Sequence, residues 1–532
     1  MVSLKVSRSW LLRQLGVSEA ELIEALPNVK VEVDENAEEM GLDVTGDRPD
    51  LLSRQGILRA LKGWLEQEKG APPLKVGKAR AELAVDESVK QVRPFVVAAF
   101  ARGLRLDGES VAELMQVQEK LVLTHGRHRR KVAIGIHDAA KVKLPFSYKA
   151  VKGDYEFVPL GWTKKASITR ILKEHDKGRE YADCFGKSKV YPLFTDSLGV
   201  VSLPPIINSA RTAVTMNTTD LLLDVTGTNL EACNVALNIL CQDFSDAGAR
   251  IEAISVDGKD YPETAPREML LGTDYCNGVL GTKLSDNEIV HALLKQRITA
   301  SKAKPGVVRC LVPRFRADFL HQIDLVEEVA LGYGFNEFEL KRPSVYTKGF
   351  LSAETLLENS VRDSLAGAGF VEANLTALSS EETVYKSLLE SDAIKIRNPV
   401  SKDYGILRSH VLPSLLEVLA ANTHEPYPQK IFEVGEVVRK AGGEAVTLKS
   451  VAAASCHANT GLTEAASILQ VLLSSLGKEF KLRKSECNSF MKGRQAQIIV
   501  DGKPAGFVAE IHPQVLENFG VSVPCSCFEV DL

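Results

Sequence analysis

Apolar positions recur along this chain with two periods, and the places where one period gives way to the other divide it. Helical spacing appears around Trp10 to Leu15 and again from Glu19 to Leu26, where Ser18 and Glu21 have the spacing of a capping box. A third helix is predicted to begin near Pro49 in GDRPDLLSRQGILRALKGWL, because proline suits a first turn and Leu52, Ile57, Leu58 and Leu61 fall on about one face. Residues 1–85 therefore read as a small helix-rich module whose tail, GAPPLKVGK (70–78), has the Gly and Pro content of a linker. From 86 to 262, β-rich runs such as RPFVVAAFARGL, KVAIGIHD and LLLDVTG mix with helices over 110–124 and 229–244, as in an α+β or α/β domain. Residues 263–342 give a strand at Glu268–Leu271, a helix capped by Ser285 and Glu288, the strand GVVRCLVP and an acidic helix, Phe319 to Tyr333, closed by Gly334. Helices followed by a short ribbon suggest a winged-helix-like fold. Residues 343–532 add helices over 353–366 and 413–422 and the strands KIFEVGEVV, SVAAASCH, AQIIVDG, KPAGFVAEI and CSCFEVDL, an antiparallel sheet flanked by helices. The fold class is multidomain α+β.

Composition narrows the class without naming a function. Hydrophobic residues at 45% and charged residues at 25% exclude a mostly disordered or fibrous chain. The 65 basic and 69 acidic residues leave a formal charge of -4, so any nucleic-acid contact must be local. No apolar run reaches the length of a membrane helix, and Arg8 and Arg13 stand where a signal peptide would be apolar, so a soluble, unexported protein is expected. Nine cysteines without a CxxC, of which the close pair Cys525 and Cys527 has no neighbouring histidine, read as reduced thiols and not as a zinc set.

Familiar catalytic signatures are missing: there is no GxxxxGK[ST] loop, no GxGxxG opening a helix, no HExxH and no GxSxG. Three constellations carry chemistry. In RADFLHQIDLVEEVALGYG, Asp318 stands at an expected N-cap, and Asp324, Glu327 and Glu328 follow at spacings of three and four on one helical face. That stripe is either a solvated acidic face or an all-oxygen set for Mg²⁺ or Ca²⁺, and a partner's Arg or Lys side chains would serve equally. HGRHRRK (125–131) concentrates positive charge that would hold phosphates or simply face solvent. LLLDVTGTN offers Asp224, Thr226 and Thr228 at alternate positions, hence on one side of a strand; they either bind a polar substrate group and orient water or cap the helix that Asn229 opens. His137 and Asp138 read as a turn-stabilising pair.

Taken in order, GDRPDLLSRQGILRALKG, HGRHRRKVAIGIHD, SLPPIIN with LLLDVTGTN, VPRFRADFLHQIDLVEEVALGYGFNE, and IRNPVSKDYGILRSHVLPSLLEVLAAN with KIFEVGEVV resemble the beta-subunit family of phenylalanine–tRNA ligase, over nearly the whole chain. The match is to the archaeal and eukaryotic cytosolic type, since residues 1–85 leave no room for the oligonucleotide-binding domain of the bacterial type. The resemblance implies a cytoplasmic protein that pairs with a catalytic alpha subunit as an α2β2 heterotetramer, binds phenylalanine tRNA, touches no membrane and contributes to a reaction that uses ATP and Mg²⁺. It implies that 86–262 is an α/β editing domain hydrolysing tyrosine mischarged on that tRNA, with a pocket at Leu193, Ser202, Asp224 and Thr226. Ser202 and Asp224 would bind the tyrosine hydroxyl or amino group, and Thr226, with Thr228 as a further candidate, would position the ester and attacking water. It implies Mg²⁺ held by Asp318, Asp324, Glu327 and Glu328 at the border with alpha. It also implies that 343–532 is a class II synthetase-like core without adenylating activity, because Glu433 replaces the motif-two arginine and would repel ATP. The alternative is a purely structural scaffold that docks alpha and tRNA with an inert editing pocket.

Overall fold

A computed structural model describes residues 2–34, 40–106 and 108–532. The chain forms two compact units, Met1–Arg342 and Pro343–Leu532.

The first unit opens with a feature that the helical patterns concealed. Val2–Val6, Met40–Val44 and Val31–Asp34 form a three-stranded antiparallel sheet, so the N-terminal module is mixed and not simply helix-rich. Each strand is only four or five residues long, too short for a period of two to stand out. Helices Arg8–Leu15, Glu19–Ala25 and Arg54–Trp64 accompany it, and the Ser18–Glu21 capping box forms. Pro49 begins a 3₁₀ turn, Pro49–Leu51, and the helix proper waits for Ser53, whose side chain caps Gly56. Val76–Val85, part of the expected linker region, is a strand of the large sheet, parallel to Arg250–Val256; its polar outer positions masked the pattern.

That sheet has ten strands and is nearly all antiparallel. Leu221–Gly227 is flanked by Phe95–Arg102 and Val132–Asp138, and helices Gly108–Leu123 and Leu230–Asp246 flank the strands. The sheet curls far enough that Asn208, on the strand at one end, donates to the Ile136 carbonyl on the strand at the other end at 3.3 Å. One apolar cluster runs from Leu4 through the sheet to Phe315, which is why the module and the sheet fold as a single unit.

Arg267–Gly272, Val307–Val312 and Thr299–Lys304 make a further antiparallel sheet, with helices Thr273–Leu280, Asp286–Lys295 and Gln322–Tyr333. Thr299–Lys304 (TASKAK) was illegible in sequence because almost all of it faces solvent.

The second unit is a seven-stranded sheet ordered Val371–Glu372, Gln429–Ala441, Glu444–Cys456, Cys525–Asp531, Lys503–Ile511, Phe490–Val500 and Phe480–Lys484, antiparallel except for the first pair. Ala353–Gly367 and Leu462–Ser475 join one apolar cluster of this sheet, Leu412–Ala421 and Pro513–Phe519 another. Among the described residues no helix is long and apolar enough to cross a membrane, and all nine cysteines are free thiols.

Candidate functional site

The curled sheet carries a cavity of about 610 Å³ that gathers polar groups and lies over the Leu221–Gly227 strand. Strand alternation puts Asp224 and Thr226 on one face, and three of their four cross-strand neighbours are Ala or Gly: Ala98 and Gly135 beside Asp224, Ala133 with Val96 beside Thr226. The floor is open because those side chains are short. Ser202 arrives from Gly199–Leu203, with five strands intervening in the sheet order, and meets Asp224 across the curl.

Asp224 is the hub. Its Oδ2 accepts from the Ser202 hydroxyl at 3.2 Å and from His137 Nε2 at 2.7 Å, all three residues being buried. On the other side of the imidazole ring the Thr212 hydroxyl lies 2.9 Å from Nδ1, so both ring nitrogens are engaged. A Cβ at Gly135 would lie 2.2 Å from Asp224 Oδ2 and 2.7 Å from His137 Nε2, so this network requires glycine there. Thr226 is held from the other side by Arg93, whose Nε donates to Thr226 Oγ1 at 2.9 Å and whose guanidinium also reaches the Thr226 carbonyl at 2.7 Å. Burial pulls Arg93 below the usual arginine range, against the opposing pull of Tyr148 and Asp224 among others.

Arg129, Trp162, His175 and Lys177 also line the cavity. Within the basic run, Arg127, His128 and Arg129 all take positive φ (49°, 51° and 65°). This left-handed turn separates the cations: Arg127, His128 and Arg130 face solvent, while Arg129 donates to the Pro205 and Ile206 carbonyls at 3.0 and 2.8 Å and stacks on Tyr181.

Of the five residues expected at this site, Ser202, Asp224 and Thr226 line the cavity. Leu193 does not: alternation turns it from the face of Phe194, the partner of Ser202, into an apolar cluster with Ile168, Ile171 and Leu203. Thr228 does not either, because the strand ends at Gly227 and leaves it exposed. His137 belongs with Asp224, not Asp138, whose Oδ1 accepts from Ala140 N and whose Oδ2 accepts from Thr218. The alternation Ala133, Gly135, His137 in VAIGIHD was the signal for that face. Arg93 opens the run RPFVVAAFARGL, legible only as a strand, and Thr212 lies between SLPPIIN and LLLDVTGTN, so neither carried a signal of this role.

The acidic helix is arranged differently from its expected form. It begins at Gln322, and the cap belongs to Asp324, whose Oδ2 accepts from the Leu320 and His321 amides at 2.6 and 2.7 Å. Asp318 precedes the helix and makes a two-pronged pair with Arg316 at 2.9 and 2.6 Å, so it is not the N-cap. Glu328 is buried, 2.8 Å from Arg316 and 3.8 Å from Lys30; neither of its oxygens completes a hydrogen bond. Glu327 is more than half exposed and pairs with Lys30 at 3.0 Å. Three of the four carboxylates are thus taken by Arg316 and Lys30 and the fourth by backbone amides, and among the described residues no three acidic, His or Cys side chains are placed to hold a metal. As placed, this set does not fit Mg²⁺.

In the second unit Glu433 is not a free anion. Arg408 clamps both its oxygens at 2.9 and 2.7 Å, and both side chains are buried. Arg439 is taken by Asp531 at 2.7 Å. Repulsion by Glu433 is therefore the wrong account of this position; a neutralised pair fills it.

Two family profiles match: "tRNA synthetase B5 domain" over residues 269–335 and "Phenylalanyl tRNA synthetase beta chain CLM domain" over 340–532. They define a component of an aminoacyl-tRNA synthetase. The phenylalanine–tRNA ligase beta subunit of Pyrococcus horikoshii is 38% identical over all of this chain and 99% of its own length, and that of Methanosarcina acetivorans 36% identical over 97% and 96%. A crystal structure of an N-terminal fragment of the Pyrococcus horikoshii phenylalanyl-tRNA synthetase beta subunit matches with a TM-score of 0.59 at 37% identity, covering 62% of this chain and 99% of the fragment. The chain belongs to the phenylalanine–tRNA ligase beta-subunit family.

Proposed function

We propose that this beta chain assembles with a catalytic alpha subunit as an α2β2 heterotetramer in the cytoplasm, binds phenylalanine tRNA, and removes tyrosine mischarged on it. ATP and Mg²⁺ belong to the charging reaction of the complex, and no step here passes through them. The observation that supports editing is the meeting of Ser202, Asp224 and Thr226 in one cavity large enough for an aminoacyl group. The need is energetic: a pocket shaped for phenylalanine rejects an added hydroxyl only modestly, so a second site that accepts hydroxyls improves fidelity. Asp224 and Ser202 offer an acceptor and a donor to the tyrosine hydroxyl or ammonium group. Water, giving up a proton to the medium, then adds to the ester carbonyl carbon, the tetrahedral alkoxide collapses, and the ester C–O bond breaks. The ribose oxygen takes a proton from the medium, and tyrosine leaves as the free amino acid.

In the αβ complex, Asp224→Ala is expected to leave phenylalanine charging intact and to let tyrosyl-tRNA accumulate. Unchanged deacylation would remove Asp224 from the site. A wild-type complex that charges phenylalanine but never hydrolyses the mischarged tRNA would identify the chain as a docking scaffold with an inert pocket.

A further inference from the structure

Arg93 is fully buried, yet its three hydrogen-bond partners are neutral oxygens: Thr226 Oγ1 at 2.9 Å, the Thr226 carbonyl at 2.7 Å and the Arg130 carbonyl at 3.4 Å. A buried guanidinium without a bonded carboxylate is costly, and such a cost is retained where the charge has work to do. Its placement constrains one proton. Guanidinium groups donate and never accept, so the Arg93 contact fixes Thr226 Oγ1 as an acceptor and turns the threonine's own O–H elsewhere. Among the described residues that hydroxyl makes no other hydrogen bond, and Thr226 lines the cavity.

We propose that Arg93 is a positioning residue for ester hydrolysis: it holds the Thr226 hydroxyl as a donor aimed into the cavity, where it binds the oxyanion formed when water attacks the aminoacyl ester. The inference rests on the editing reading and adds to it the group that receives the developing charge. Two features support the assignment. The two-pronged grip on Oγ1 and the carbonyl of one residue fixes both the rotamer and the strand segment of Thr226. The positive charge behind the hydroxyl, hydrogen-bonded to no carboxylate, strengthens it as a donor and favours negative charge in front of it, as in other preorganised oxyanion sites. Asp224, two residues before Thr226 on the same strand face, and Ser202 line the same cavity, so binding of the side chain or ammonium group and stabilisation of the carbonyl oxygen fall to neighbouring but different residues.

The test uses the αβ complex and single-turnover hydrolysis of tyrosyl-tRNA carrying the phenylalanine anticodon, with phenylalanine charging by each preparation as the control for folding. Arg93→Lys keeps the charge but loses the fork, and Thr226→Val keeps the shape but loses the hydroxyl. Each is expected to lower the hydrolytic rate about 10- to 1,000-fold with substrate affinity changed less than about threefold. Thr226→Ser, which restores the donor, should recover most of the rate. The double variant should be no slower than Thr226→Val alone, because Arg93 acts through that hydroxyl. Losses that multiply in the double variant, or wild-type hydrolysis by either Arg93→Lys or Thr226→Val, would overturn the proposal while leaving editing intact. If Arg93→Lys does not fold, the Val and Ser pair still decides the hydroxyl's role. A wild-type complex that charges phenylalanine but does not hydrolyse the mischarged tRNA would bring down the editing reading and this inference together.

Discussion

Arg316 is the counter-charge for two buried carboxylates, and its removal tests whether protein cations or a metal hold the acidic helix. In Arg316→Met, Asp318 loses contacts of 2.9 and 2.6 Å and Glu328 loses one of 2.8 Å, while the methionine fills much of the same space. Removing one partner of a buried ion pair costs about 3–5 kcal/mol. Two stranded acids would cost more, but Lys30 remains 3.8 Å from Glu328, and at an effective dielectric constant of about 20 that contact is still worth about 4 kcal/mol of attraction. The expected loss is therefore in the range for a single pair, about 3–5 kcal/mol. Adding Asp318→Asn and Glu328→Gln should return more than half of it, because the penalty comes from uncompensated charge and not from packing. Denaturant titration of each variant at neutral pH, with Mg²⁺ and with EDTA, measures both. EDTA should leave the wild-type midpoint where it was. A wild-type protein that loses more than about 1 kcal/mol on chelation, or an Arg316→Met variant that loses less than that, would refute the reasoning.

Burial raises the Asp243 carboxyl from 3.8 to about 7, with Arg59 pulling against the shift and Asp246 adding to it. Between those values the folded chain keeps a proton that the unfolded chain has released, so this group's stabilisation is complete below about pH 4 and is lost as the pH rises through 7. Asp243→Asn should flatten the stability profile across that window, and an unchanged slope would assign the pH dependence to other groups. Gly135→Ala drives a methyl against Asp224 Oδ2 and should cost about 1–3 kcal/mol of stability and most of the hydrolytic activity; a variant with full deacylation would mean that the His137–Asp224 contact is dispensable. Glu433→Ala leaves Arg408 buried without its partner and should lower stability by about 3–5 kcal/mol in a thermal melt, with Glu433→Gln losing less. Neither variant should give the isolated chain ATP–pyrophosphate exchange, because Arg439 stays engaged by Asp531 in both; exchange by the wild-type chain would overturn the non-adenylating reading.

What the sequence determined by itself was local. Caps such as Ser18 with Glu21 and Ser285 with Glu288, the helix of 353–367 and the strand holding Asp224 and Thr226 follow from spacings of two, three and four residues, because those spacings set which side chains share a face. The motif order likewise carried the family, since it needs no folding to be read. Tertiary structure decided which distant groups meet. Ser202 reaches Asp224 only because the sheet curls, Arg93 finds Thr226 from the loop just before its strand, and Leu193 is turned into the apolar cluster by the register of its strand. Charge was the hardest to read. Glu433, Asp318 and Glu328 looked like free anions, and each is neutralised by an arginine. A buried carboxylate must find a cation or give up its charge, and which cation it finds depends on packing in three dimensions and not on spacing along the chain.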